Sequence, residues 1–296
     1  MYSKELGINL FGNESNNKTK LNRINILKKH ISNFKIFLVI AGTNTSQIPG
    51  ISAAGINAKS RRITALADAE FLLKGASKNH KYKLPPLNAG VTPALISHVC
   101  SKLINVYPVI IPLGIGVKPY FNHLIVEDKD LGPSNCLTTG KSMPRERVIN
   151  LYERGLAIGK SLKQPILISE SVPGGTTTAQ AVMEAFGLRV SNLVGSSLFK
   201  APRDLRKKVV KKGLINANFK TDHDSFDVVA AVGDPFQSFS MGLLIGARLA
   251  NQPVILSGGS QMMAVISLVL EFLGAKKKDD FIEDVFIATT GLASKR

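Results

Sequence analysis

Five times along this chain a continuous apolar run ends in small residues and gives way to sequence of helical period. Phe34–Ala41 leads to Gly42-Thr-Asn-Thr-Ser46, and Pro165–Ser169 leads to Glu170-Ser-Val-Pro-Gly174-Gly175-Thr176-Thr177-Thr178. Phe226–Val232 leads to Gly233-Asp-Pro235, Pro253–Leu256 to Ser257-Gly258-Gly259-Ser260, and Val285–Ala288 to Thr289-Thr-Gly291. Because the runs are continuous rather than alternating, each reads as a strand buried on both faces, as in a parallel sheet. Helices between such strands make βαβ units, and ligands collect beyond the carboxyl ends of the strands. The expected fold class is α/β, a mostly parallel Rossmann-like sheet flanked by helices, with all five small-residue loops on one edge. Two of the strand starts rhyme, Gln164-Pro-Ile-Leu and Gln252-Pro-Val-Ile-Leu.

The intervening segments are less regular. Residues 12–24 are polar and rich in Asn and Lys, the composition of a loop or loose linker. Val106–Gly116 reads as a further strand, residues 127–146 as irregular, and Pro144–Ser161 as a helix with proline in its first turn. The expected division is a helical or loose segment over residues 1–33 and an α/β domain over 34–296, with any nucleotide site in about 160–296. A chain of 296 residues with 44% apolar content can bury a core of that size.

Charge and composition narrow the function. A net charge of +17 favours anionic partners such as nucleotides, phosphorylated metabolites or nucleic acid, unless it is only surface lysine. Cys100 and Cys136 are too few for a disulfide framework or a cysteine-rich zinc site. The five histidines lack ligand spacing, and Asp222-His223-Asp224, a conceivable metal cluster, reads equally as a solvated turn. The start of the chain lacks the apolar stretch of a signal peptide, and the longest apolar run, Met262–Leu270, is too short to span a bilayer. The expected setting is the cytoplasm, without membrane attachment.

The motifs point to an anion site. Asn135–Ser142 imitates the end of a Walker A loop, but Asn135 stands where that loop needs glycine and no strand precedes it, which argues against an ATPase. Gly174-Gly175-Thr176-Thr177-Thr178 follows a strand and opens a helix. There, free amides and the helix dipole attract phosphate and glycine permits close approach. The same sequence is also compatible with an ordinary threonine cap. Gly258, Gly259 and Ser260 form a second loop of this kind. The basic run from Lys200 through Lys212 is a solvated face from which one or two side chains could reach a phosphate. RNA binding is disfavoured, because the run lacks interleaved aromatic residues and the chain has no Trp. Glu170 is out of place beside an anion loop. Either it binds loop amides, or it serves chemistry that develops positive charge or needs a base.

These residues resemble the nicotinate-nucleotide:dimethylbenzimidazole phosphoribosyltransferases of cobalamin lower-ligand assembly, and most closely their uncharacterised archaeal and cyanobacterial branch. The family pattern Gly-Glu-x-Gly-x-Gly-Asn-Thr-Thr-x-Ala lies without gaps on Ser169–Ala179. Further similarity lies at Val194-Gly195, Leu205–Val209 and Ala247-Arg248…Pro253–Gly258. For the uncharacterised branch it extends through Ala41–Ser46, Ile48–Gly55 and Asn88–Pro93. The resemblance implies a parallel α/β domain with a smaller helical subdomain, here from the N-terminal part, usually in a homodimer. It implies transfer of phosphoribose from nicotinate mononucleotide to an aromatic base, with no metal and no cofactor. Carried over, Glu170 is catalytic, Gly174, Gly175, Thr176, Thr177, Gly258, Gly259 and Ser260 line the nucleotide, and Lys208 pairs with its phosphate. The chain departs from the pattern at Val172, Gly175 and Ser257. The family's C-terminal general-base glutamate segment has no counterpart before Arg296, so the alternative expectation is a non-catalytic nucleotide-binding protein on the same scaffold.

Overall fold

The computed structural model describes residues 25, 27, 28, 33–55, 57–84, 92–195, 201–274 and 281–290. The segment expected over 1–33, the linker at 12–24, Lys200 and residues 88–91 lie wholly or mostly outside them. Five strands form one all-parallel sheet: β1 (Lys35–Ala41), β2 (Val109–Leu113), β3 (Ile166–Ser171), β4 (Val254–Ser257) and β5 (Val285–Ala288). Their spatial order is β2-β1-β3-β4-β5. Among the described residues eight α-helices accompany them: α1 (Ala58–Lys74), α2 (Pro93–Ile104), α3 (Arg145–Lys160), α4 (Gly175–Ala185), α5 (Arg203–Ala217), α6 (Ser225–Val232), α7 (Pro235–Leu249) and α8 (Ser260–Leu273).

β1 and β2 are buried on both faces as expected, β3 and β4 are buried on one face and half-buried on the other, and edge strand β5 is half-buried to exposed. Phe37, Val39 and Ala41 of β1 join the larger core with Ile166, Ile168, Val254 and Leu256, under α4, α6, α7 and α8. Leu38 and Ile40 point the other way, onto Ala65, Leu66, Ala69 and Leu72 of α1. The rhyming strand starts are paired neighbours in register, Ile166 opposite Val254 and Leu167 opposite Ile255. Two corrections concern secondary structure. Val106–Gly116 contains a shorter strand, Val109–Leu113. Phe226–Val232 is not a strand but helix α6, so Gly233-Asp-Pro235 is a corner between two helices. A seven-residue, mostly apolar run is too short for its periodicity to separate strand from helix. The capping boxes Asp224…Asp227 and Asp234…Gln237 decide it here, since each satisfies the first free amides of a helix.

Helix α7 is buried on nearly every side and packs along α3 through paired glycines. A Cβ on Gly155 or Gly159 would meet the Phe239 or Leu243 carbonyl oxygen at 2.2 or 2.5 Å. A Cβ on Gly242 or Gly246 would meet the Tyr152 or Leu156 carbonyl oxygen at 2.0 or 2.3 Å. Gly242→Ala therefore forces the two backbones apart. It is expected to lower unfolding free energy by about 1–3 kcal/mol, the usual cost of overpacking, read as a lower urea midpoint. An unchanged midpoint would mean that the helices separate freely. Asn135–Ser142, the Walker-like stretch, folds against the end of α5, where Gly140 leaves no space for a side chain beside Asn216. No helix among the described residues is long and apolar enough to cross a membrane.

Candidate active site at the β1–β3 crevice

The strand order sends the chain from β1 outward to β2 and then back across β1 to β3. The strand order reverses between β1 and β3, and the ends of these two strands are the usual ligand position in such sheets. The loop after β1 runs through Thr43–Gln47, a short 3-10 turn capped by the Thr43 hydroxyl. Buried Arg61 of α1 holds it, with Nε 2.5 Å from the Ser46 carbonyl, Nη2 3.2 Å from that of Gln47 and Nη1 3.1 Å from that of Gly55. The loop after β3 must pass close to it. Gly174 has φ +85°, and a Cβ there would stand 2.9 Å from the Ser46 nitrogen. Gly175 is equally constrained, because a Cβ would meet Gln261 of α8 at 2.5 Å. Glycine is required at both positions by close approach of three segments.

Helix α4 starts at Gly175 with Gly174 as its cap, and α8 starts at Ser260 with Gly259 as its cap. Neither start has a side-chain cap. The Gly175 and Thr177 amides already bond to the Val172 and Gly174 carbonyls at 2.8 and 2.9 Å, so the α4 cradle is narrower than the sequence suggests. Thr176 is partly exposed, whereas Thr177 is buried. Gly258, Gly259 and Ser260 stand at the same edge and are partly exposed.

Glu170 is the penultimate residue of β3, opposite Val39 of β1. Its Oε2 accepts from the Val172 amide at 2.8 Å, so binding of a loop amide accounts for one oxygen. Two further carboxylates that the sequence reading missed stand near it. Asp234 caps α7, accepts from Thr178 Oγ1 at 2.5 Å and Gln261 Nε2 at 2.8 Å, and is fully buried. Asp68 of α1 accepts from Ser171 Oγ at 2.9 Å and Thr92 Oγ1 at 3.1 Å. Burial first, then the charges of Asp234 and Asp68, push the Glu170 carboxyl up to about 7. Burial also raises Asp68 and Asp234 above the ordinary carboxylate range, against the hydrogen bonds that oppose it. A strand end carrying three acids with raised proton affinity can hold a proton near neutrality or face a cation.

The basic run divides in two. Arg206 is buried, and its guanidinium bonds the Val194 and Gly195 carbonyls at 3.2 and 2.6 Å, so it is an anchor rather than a solvated side chain. Lys208 is exposed on α5, one turn after Leu205, whose side chain lies 3.7 Å from the Cβ position of Gly50 in the β1 loop. Arg248, in the Ala247-Arg248 pair, ties α7 to the start of β5 through the Phe281 carbonyl and Asp284. Two depressions of about 500 and 770 Å³ lie elsewhere, one along α4 and α5 and one between residues 135–145 and α5–α6. Neither includes the β1–β3 loops. Asp222 and His223 line the second, and no cluster of metal-ligating residues occurs among the described residues.

An all-parallel sheet whose strand ends carry two glycine-capped helix starts and three neighbouring acids defines an α/β protein. A family profile described as phosphoribosyltransferase matches residues 27–272, and the chain belongs to that family. It is 89% identical over 291 residues to a UPF0284 protein of Prochlorococcus marinus (strain MIT 9312), covering 98% of this chain and 76% of that relative. It is 36% identical over 276 residues to a UPF0284 protein of Crocosphaera subtropica, covering 89% and 74%. Among solved structures it is similar to CobT from Thermus thermophilus, with TM-score 0.64 and 17% identity over 91% of this chain and 74% of that one. A nicotinate-nucleotide–dimethylbenzimidazole phosphoribosyltransferase from the same organism gives TM-score 0.60 and 16% identity over 86% and 68%. The family match establishes a phosphoribosyltransferase family, and the solved structures share the expected parallel α/β fold.

Proposed function

We propose that this protein transfers the phosphoribosyl group of nicotinate mononucleotide to a ring nitrogen of a benzimidazole- or purine-like base, a step of cobamide lower-ligand assembly. The observation that supports the reading is the placement, at the strand ends, of two helix starts without side-chain caps beside the Glu170, Asp234 and Asp68 carboxylates. In the mononucleotide the nicotinate ring is a pyridinium, so the two ends of the ligand differ in charge as the two parts of the site do. The C1′–N bond breaks with its electron pair passing to the nicotinate ring nitrogen. Positive charge then gathers on the ribose, where Glu170 stabilises it. The acceptor nitrogen forms the new bond and its ring N–H gives up a proton. Gly174, Gly175, Thr176, Thr177, Gly258, Gly259 and Ser260 line the nucleotide, and Lys208 reaches its phosphate. The name of the nicotinate-nucleotide–dimethylbenzimidazole phosphoribosyltransferase from Thermus thermophilus supports the same chemistry. The working state is a cytoplasmic homodimer. This rests on the resemblance, since α8 buries most of its apolar face within the chain and exposes chiefly Met263 and Phe272.

Calorimetry with nicotinate mononucleotide and its nucleoside tests the reading. The mononucleotide is expected to bind more tightly. Lys208→Ala should weaken it by about 1.5–3 kcal/mol, the size of a hydrogen bond to a charged group, with little effect on the nucleoside. Equal losses for both ligands would remove Lys208 from the phosphate site, and no binding of either would remove the proposal.

A further inference from the structure

Helix α1 carries two acids two residues apart in an otherwise small and apolar stretch, Ala65-Leu-Ala-Asp68-Ala-Glu70-Phe-Leu-Leu73. Their surroundings are opposite. Glu70 is fully buried and accepts from the Tyr82 and Lys81 amides, at 2.8 and 3.1 Å, and from Tyr120, with the Lys74 ammonium at 3.3 Å. Burial pushes its carboxyl up, but the Tyr82 and Lys81 amides, Lys74 and the charge of His80 outweigh it and hold the group below its usual value. Glu70 is thus an anchor for the segments around residues 82 and 120.

Among the described residues Asp68 has only hydroxyl partners, Ser171 Oγ and Thr92 Oγ1. Its place is set by the pleat of β3. Successive side chains leave a strand on opposite faces. Glu170 leaves on the face of Ile166 and Ile168, toward the core shared with α7, whose N-terminal cap is Asp234. Ser171 leaves on the other face, toward α1, and meets Asp68 there. The end of β3 is therefore flanked by carboxylates on its two sides, Glu170 with Asp234 on one and Asp68 on the other. Displacement at C1′ has the same geometry, since the leaving ring and the entering ring occupy opposite sides of the ribose.

We propose that Asp68 stands on the entering side and receives the proton of the acceptor's ring N–H, while Glu170 serves the leaving side. The inference rests on the transferase reading above. The acceptor's lone pair forms the bond to C1′ and its N–H bond breaks. Its electron pair neutralises the ring, and the proton goes to the Asp68 carboxylate. Burial in this half-closed setting raises the proton affinity of Asp68, which suits it to that task.

The test compares benzimidazole with 1-methylbenzimidazole as acceptors for nicotinate mononucleotide, in the wild type and in Asp68→Asn. The methylated ring has no N–H to lose, so its transfer needs no base. Asp68→Asn is expected to slow transfer to benzimidazole about 10²–10⁴-fold through kcat, with the KM for the nucleotide little changed. Transfer to the methylated ring, which also reports on folding of the variant and on any change at Glu170, should fall far less than transfer to benzimidazole, and Asp68→Glu should restore part of the loss. Equal losses on both acceptors, or no loss on benzimidazole, would overturn the role of Asp68 and leave the transferase reading standing. A wild-type chain that forms product with neither acceptor overturns both.

Discussion

Glu170→Gln is expected to lower turnover about 10²–10⁴-fold while mononucleotide affinity stays the same or improves slightly. The substitution preserves shape and the acceptor for the Val172 amide, and it removes the negative charge. Catalysis depends on interactions stronger in the transition state than in the bound substrate. As the glycosidic bond lengthens, the positive charge leaves the pyridinium nitrogen and gathers at C1′, so a fixed carboxylate gains most at that point. The phosphate of the substrate, in contrast, is repelled by Glu170, and losing the charge relieves that repulsion. Single-turnover rates and calorimetry on the same variant separate the two effects. Turnover insensitive to the substitution would move the chemistry away from the end of β3.

The second large effect is on stability, and it opposes the first. Because burial and its acidic neighbours raise Glu170 from 4.5 to about 7, the folded chain keeps a proton that the unfolded chain releases. Stability from this group is complete below pH 4.5 and is lost as pH rises through about 7. The loss amounts to about 3 kcal/mol once both states are ionised. Asp68 and Asp234 act in the same direction, since burial raises both. Ligand-free Glu170→Gln should therefore match the wild type near pH 4.5 and exceed it by about 3 kcal/mol at pH 8. Urea titrations at the two pH values provide the check. An equal stability difference at both would show that Glu170 titrates normally. A residue that destabilises the empty protein and accelerates its reaction reflects the conflict between stability and activity common at functional sites.

The sheet was legible because its strands are continuous apolar runs bounded by glycine and proline, although only β1 and β2 are buried on both faces and the edge strand β5 is half-exposed. β5 is found at Val285–Ala288 as read, and β1, β3 and β4 are shifted by one or two residues. Residues 226–232 were misread because a buried helix and a buried strand present the same apolar run. Two acids placed as helix caps, Asp224 and Asp234, were the available signal. Asp234 was passed over as part of a turn, and with it the link through Gln261 that brings α7 and α8 under Gly175. Asp68 carried a weaker signal, a lone short acid among alanines and leucines. Its neighbour Glu70 carries the same signal and is structural. Sequence spacing cannot tell the two apart, because their roles depend on partners as distant along the chain as Ser171 and Tyr120. The α3–α7 glycines were equally hidden, since each is explained only by the carbonyl of another helix.

Acceptor-dependent release of nicotinate from its mononucleotide tests the central claim most directly. With protein, mononucleotide and benzimidazole present together, nicotinate and the benzimidazole riboside phosphate should appear in equal amounts, and Glu170→Gln should suppress both. Saturable mononucleotide binding with no nicotinate released under any acceptor would contradict the account and leave a nucleotide-binding protein on a transferase scaffold.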